Sequence, residues 1–127
     1  FVYSLYPHKN GFRQGGTIKE AYLLNNPFEA FEAEGNGNLP CDFSVISCDC
    51  DNIVIETVKQ SENGKGIIIR LFDAWNKKSK PVLTFAFKAK KISICDMLEN
   101  EIELIGNGDK VSLEVGNYEI LTLYAEI

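Results

Sequence analysis

Histidine, tryptophan and methionine each occur once in these 127 residues, as His8, Trp75 and Met97. Any mechanism pairing a nucleophile with a histidine would have to run through His8, and no Gly-x-Ser-x-Gly turn supplies a serine for it. No apolar run approaches the roughly 20 residues that span a bilayer, and no basic n-region followed by an apolar h-region opens the chain. A membrane partner is therefore not expected. Positive charge is also scarce: 18 Asp and Glu against 13 Lys and Arg give a net charge of -5 and a pI near 4.9. Phosphate binding needs concentrated Lys and Arg, so nucleic acid is excluded as a partner. The single dense basic run, Lys77-Lys78-Ser79-Lys80, lies between strand patterns and reads as a solvated loop tip.

Cysteine is present but badly spaced for a metal. Cys48 and Cys50 form one Cys-x-Cys, with Cys41 upstream and Cys95 far downstream, whereas structural zinc sites draw on two Cys-x2-4-Cys knuckles. Two disulfides would allow three connectivities, but nothing marks the chain as secreted. Four free thiols in a reducing, cytoplasmic compartment are expected, some of them small apolar fillers in strands. Asp49, Asp51 and Asn52 lack the spacing and Gly turn of an EF-hand loop and read as a solvated turn.

What the chain does have is period-two alternation. Leu83, Phe85 and Phe87 alternate with Thr84, Ala86 and Lys88; Val111, Leu113 and Val115 alternate with Lys110, Ser112 and Glu114. Such spacing sends one face of a strand inward. Ile67 to Phe72 and Ile53 to Val58 are more nearly continuous, as expected of central strands. Val2 to Tyr6, Phe28 to Ala33, Asp42 to Ser47, Ile92 to Cys95, Glu101 to Ile105 and Tyr118 to Glu126 bring the total to roughly ten, which predicts an all-β antiparallel sandwich. Asn63-Gly64 and Asn107-Gly108 predict hairpin turns, and Gly35 to Pro40 a longer connection. Thr17 and Glu20 have capping-box spacing, so one short helix is expected from Thr17, stopped by Asn25-Asn26-Pro27. With no internal repeat or low-complexity tract, residues 1-127 read as one domain. A chain of this size buries roughly two thirds of its unfolded surface.

Tyr3-Ser4-Leu5-Tyr6-Pro7-His8, then Ala21 and Asn25-Asn26-Pro27, resemble the C-terminal β domain of α-mannosidases of glycoside hydrolase family 38. That domain carries a Tyr-x-Leu-Tyr-Pro-His strand, a short helix with Ala, and Asn-x-Pro. Further matches occur in the same order: the Ser-rich Phe43 to Ser47 stretch before Asn52 to Lys59, then Ile67 to Asp73, Asp96-Met97-Leu98-Glu99, and Tyr118 to Leu123. The resemblance implies an enzyme that removes terminal α-linked mannose with retention through a covalent intermediate. It also implies that zinc and the nucleophilic Asp belong to an N-terminal catalytic domain of the same polypeptide. The chain, beginning at Phe1 in mid-strand without Met, then reads as an inactive piece holding no catalytic residue, metal or cofactor of its own.

Two candidate surfaces remain. Tyr6, Pro7 and His8 with Asn25, Asn26, Pro27 and Phe28 combine aromatic and turn-forming residues on the route to the implied neighbour, and are assigned to domain docking. Trp75, beside Asn76-Lys77-Lys78, is a candidate sugar contact, since aromatic faces pack on apolar sugar faces. An independent carbohydrate-binding sandwich and a protein-interaction sandwich stay open as alternatives to the structural domain. A carboxylate pair about 5 to 5.5 Å apart, as retaining glycosidases use, would arise by chance among 18 acids and carries no weight.

Overall fold

Alternating apolar residues become strands only where a neighbouring strand completes the hydrogen-bond ladder. The computed structural model describes residues 2–32, 35, 37–38, 40 and 42–127, which fall into two compact units, Phe1–Pro40 and Cys41–Ile127. All the strands among the described residues lie in the second unit: β1 (Ile46–Cys48), β2 (Ile53–Gln60), β3 (Gly66–Asp73), β4 (Val82–Cys95), β5 (Glu101–Ser112) and β6 (Ile120–Glu126). The order is β1-β4-β6-β3-β2, with β5 also on β4. Every pairing is antiparallel. The all-β sandwich class holds.

Among the described residues six strands replace the expected ten. Leu83 to Phe87 and Ile92 to Cys95 are one strand, β4, and Glu101 to Ile105 continues into β5 through Lys110. Val2 to Tyr6 and residues 28–32 form no strand, because no partner ladder exists for them among the described residues; Ala33 lies outside these. Ile53 to Val58 is an edge strand rather than a central one. It pairs with β3 alone and bulges between Ile55 and Thr57.

Long β4 makes the sandwich. Residues 83–85 pair with β1 and residues 91–95 with β6. Between Thr84 and Ala89 the register against β5 slips, since β5 advances only from Lys110 to Gly108. Extra residues bend a strand and increase its twist, so β4 and β5 turn from one layer into the other. Asn107-Gly108 is thus not a hairpin turn but lies inside β5, where Gly108 at φ 92 takes a backbone shape that a Cβ would strain. The true β4–β5 turn is at Asp96, whose Oδ1 accepts from the Leu98 and Asn100 N–H groups at 2.8 and 2.9 Å. Asn63-Gly64 does close β2–β3, with Ser61 N–H bonded to Gly66 O at 3.0 Å. Ile53, Ile69, Leu71, Ile92, Leu123 and Ala125 on one layer meet Leu83, Phe85, Val111, Leu113 and Val115 on the other in a single core.

One end of this core is fastened by a buried acid. Asp73, 1% exposed, accepts at Oδ1 from Asn52 Nδ2 (2.8 Å) and Trp75 N–H (3.1 Å). At Oδ2 it accepts from the Lys77 and Tyr118 N–H groups, both at 2.9 Å. The Asn52 amide also donates to Lys77 O at 3.3 Å and Ser79 Oγ at 3.1 Å. Burial pushes the Asp73 pKa up, but the four donors outweigh it and bring the group down from 3.8 to about 2.

The first unit contains the expected helix, α1 (Thr17–Asn25), but not the expected capping box. Gly16 occupies the cap in a left-handed conformation and no side chain caps the helix. Thr17 is already helical. Its hydroxyl instead lies 3.2 Å from His8 Nε2.

The Asp73 arrangement has two measurable outcomes. Asp73→Asn turns an NH2 toward backbone donors, and urea unfolding should show a loss of about 3 kcal/mol. Because the folded pKa lies below the unfolded one, the carboxylate stabilises the fold above about pH 4, and that share is lost as pH falls toward about 2. The fall in urea midpoint across this window should be smaller in Asp73→Asn than in the unmodified chain; equal slopes would refute the linkage.

Candidate functional site

In the first unit, Tyr6 and His8 are placed by the turn that precedes α1. The Tyr6 hydroxyl donates to Gly15 O at 3.0 Å, and the two rings sit 5.4 Å apart at 32°. His8 Nδ1 lies 3.2 Å from Lys9 O. A carbonyl only accepts, so this nitrogen carries the proton, and in the neutral ring Nε2 accepts from the Thr17 hydroxyl. The ring lies so close to Gly15 that a Cβ there would meet Nδ1 at 2.3 Å. Both ring nitrogens of His8 are therefore occupied by local contacts, and no serine or cysteine stands among those partners. Pro7 follows this exposed path.

Asn25 and Asn26 finish α1. Their amides turn back onto Ala21 O (2.8 Å) and Tyr22 O (3.1 Å), and Asn26 N–H also reaches Tyr22 O at 2.8 Å. Pro27 and Phe28 lie beyond, Phe28 being 90% exposed against 44% for Tyr6. Thr17 and Gly15, which hold His8 and Tyr6, are not among the seven docking candidates, and nothing in the sequence ties them to these rings. Two apolar hollows lie along α1, one of about 230 Å³ lined by Ile18, Ala21 and Tyr22, the other of about 370 Å³ lined by Tyr6, Leu23 and Leu24.

Trp75 belongs to the second unit, in the loop after β3, half-buried, with its N–H held by Asp73. Nearby, Asn117 Nδ2 donates to Asn76 O at 2.8 Å and Oδ1 at 3.0 Å. Asn76 and Tyr118 both have positive φ, 55 and 52. Asp73 was legible only as an acid closing the apolar run Ile67 to Phe72, and Asn52, expected with Asp49 and Asp51 in a solvated turn, is instead 3% exposed ahead of β2 because its amide is drawn onto Asp73.

No group of three or more His, Cys, Asp or Glu that could hold a metal occurs among the described residues. Cys48 and Cys50 have thiol pKa values raised first by burial, the wrong direction for a thiolate ligand or nucleophile. Burial, helped by Glu99 and Asp96, pushes Cys95 up to about 11, and its Sγ donates to Thr122 O at 3.6 Å. Cys48, Cys50 and Cys95 are free thiols; Cys41 lies outside the described residues. No helix among the described residues is long and apolar enough to cross a membrane.

Residues 52–123 match the family of glycosyl hydrolases family 38 C-terminal beta sandwich domains. Human (Homo sapiens) alpha-mannosidase 2C1 is 29% identical over 129 residues, covering 97% of this chain and 12% of that protein. The mouse (Mus musculus) alpha-mannosidase 2C1 is 32% identical over 102 residues, 78% of this chain and 10% of its own length. Alpha-mannosidase G of Dictyostelium discoideum is 31% identical over 77 residues, 59% of this chain and 7% of its own. The chain spans about a tenth of the length of these relatives. The matched stretch runs from Asn52, which fastens Asp73, to Leu123 in the core, so it contains β2 to β5 and the first four residues of β6. This chain belongs to glycosyl hydrolase family 38, as a C-terminal β-sandwich domain.

Proposed function

We propose that the chain is the non-catalytic C-terminal domain of a cytoplasmic α-mannosidase, where it braces an N-terminal catalytic domain of the same polypeptide. The observation that carries this reading is the coverage: 97% of the chain aligns with a mannosidase of which it makes up only 12%. The parent enzyme would hydrolyse terminal α-mannosides of glycans with retention, and its zinc and nucleophilic Asp would lie outside these residues. Support for that division comes from the chemistry of the chain itself. His8 is engaged with Lys9 and Thr17, and the thiols of Cys48, Cys50 and Cys95 are shifted toward their protonated form. No step of glycoside hydrolysis is assigned to any residue here.

Docking runs in this reading through Tyr6, Pro7 and His8 and through Asn25, Asn26, Pro27 and Phe28. Exposure of the Phe28 ring supports it, since a large aromatic left in water is costly unless something covers it. A second reading, a mannose-binding module, draws support from the half-buried Trp75 beside Asn76, Asn117 and the 62% exposed Tyr118. Calorimetric titration with an α-mannoside separates the two: heat of binding abolished by Trp75→Ala would favour the module.

The purified chain should not hydrolyse 4-nitrophenyl α-mannoside, with or without added zinc. Turnover that copurifies with it and disappears when one of its own carboxylates is changed would overturn the non-catalytic assignment. Phe28→Asp should make the isolated chain more soluble while lowering the unfolding temperature of the full-length mannosidase. An unchanged unfolding temperature would remove Phe28 from the docking surface.

A further inference from the structure

On the outer face of the sheet, residues paired directly across strands stand in rows. Lys59, Ile68, Tyr124 and Ser93 form one, and Thr57, Arg70, Thr122 and Cys95 the next; Val54, Phe72 and Ile120 form a third. The first row is covered: Ile68, Tyr124 and Ser93 are buried. The Lys91 ammonium lies 5.7 Å from the centre of the Tyr124 ring, and Lys59 is bound to Glu62 and Glu99. Nothing comparable lies over the third row among the described residues of the second unit. Ile120 is 63% exposed, Val54 and Phe72 are half-buried, and exposed Met97 lies against Thr122 of the neighbouring row, its Sδ 3.9 Å from Thr122 Oγ1.

Arg70 is half-buried beside this apolar row. Its only hydrogen bond among the described residues runs from Nε to Thr122 Oγ1 at 3.4 Å, and it has no ion pair among them. The nearby acid, Glu99, is committed elsewhere: Lys59 Nζ is 2.6 Å from Oε1 and the Glu62 N–H donates to Oε2 at 2.8 Å. A guanidinium carries five donors in a fork that suits a carboxylate. Apolar contacts around an Arg anchor are also what the centre of a protein interface is made of.

We propose that Val54, Phe72, Ile120 and Met97 form a second docking surface for the rest of the α-mannosidase polypeptide, which presents a carboxylate to Arg70. The assignment rests on the reading of the chain as one domain of that enzyme. Two observations select this occupant. The relatives continue for about nine-tenths of their length outside the aligned region, and the underused charge on the face is positive within a chain of net charge -5. A second copy laid on this face with its two-fold axis at Arg70 would bring the two guanidinium groups together, like charge on like.

The test is the rate at which phenylglyoxal modifies Arg70 in the full-length protein, measured by peptide mass, with α-mannoside hydrolysis recorded on the same preparation. Arg70 should react about tenfold more slowly in the unmodified protein than in Ile120→Lys, because a covered site reacts only through opening. Ile120 is exposed in this domain, so the substitution leaves the sandwich itself intact. Equal rates overturn the proposal, and protection that grows with protein concentration overturns it in favour of a second copy. Protection without mannoside hydrolysis would remove the enzyme reading and leave the docking face. Hydrolysis without protection would remove the face alone.

Discussion

Four hydrogen bonds converge on one buried carboxylate, and the connections at that end of the sandwich are drawn through it. Asp73 sits at the end of β3, yet its acceptors are filled by Asn52 ahead of β2, by Trp75 and Lys77 in the loop leaving β3, and by Tyr118 ahead of β6. Three segments far apart in sequence are thereby fixed against one side chain. A neutral side chain of the same shape accepts fewer of these bonds, and a buried N–H left without an acceptor is costly. The positive φ of Asn76 and Tyr118 is held by the same network, because the backbone donors on either side of Asn76 and at Tyr118 are aimed at this carboxylate.

The second constraint is the length of β4. Along its 14 residues β4 keeps β5 on one edge, from Val82 opposite Ser112 to Cys95 opposite Glu101, and changes partner on the other. Partner exchange from β1 to β6, made possible by the irregular register between Thr84 and Ile92, folds the two halves over a shared core. Leu83 and Phe85 then face Ile69, Leu71 and Leu123, and burial on both layers supplies most of the stabilisation. Edge strand β2 is bulged and charged at Glu56 and Lys59, features that discourage pairing with a further strand.

The sandwich class was legible in the sequence because its cause is local: Leu83, Phe85 and Val111, Leu113 alternate, and Ile67 to Phe72 is nearly unbroken. What failed to be legible depends on distant partners. Asn107-Gly108 has the chemistry of a hairpin turn, but the same positive φ serves a bulge, and only the opposing Ala89 distinguishes the two. Val2 to Tyr6 has strand spacing without a strand to pair with among the described residues. Thr17 and Glu20 have capping spacing, yet Gly16 takes the cap and the Thr17 hydroxyl goes to His8. Family resemblance in Tyr3 to His8 and Ile67 to Asp73 was readable as strings, and it pointed to an enzyme domain without naming Asn52 or Asp73 as the residues that organise it.

The brace proposed for this chain would carry no chemistry of its own and would act only through its contacts with the rest of the polypeptide. The most direct measurement is α-mannoside turnover by the full-length mannosidase, by the same protein lacking this chain, and by the truncated protein with the separately purified chain added back. A brace predicts loss of turnover or of thermal stability on truncation, at least partial recovery on adding the chain, and none from the chain alone. A truncated enzyme as active and as heat-stable as the intact one would contradict it.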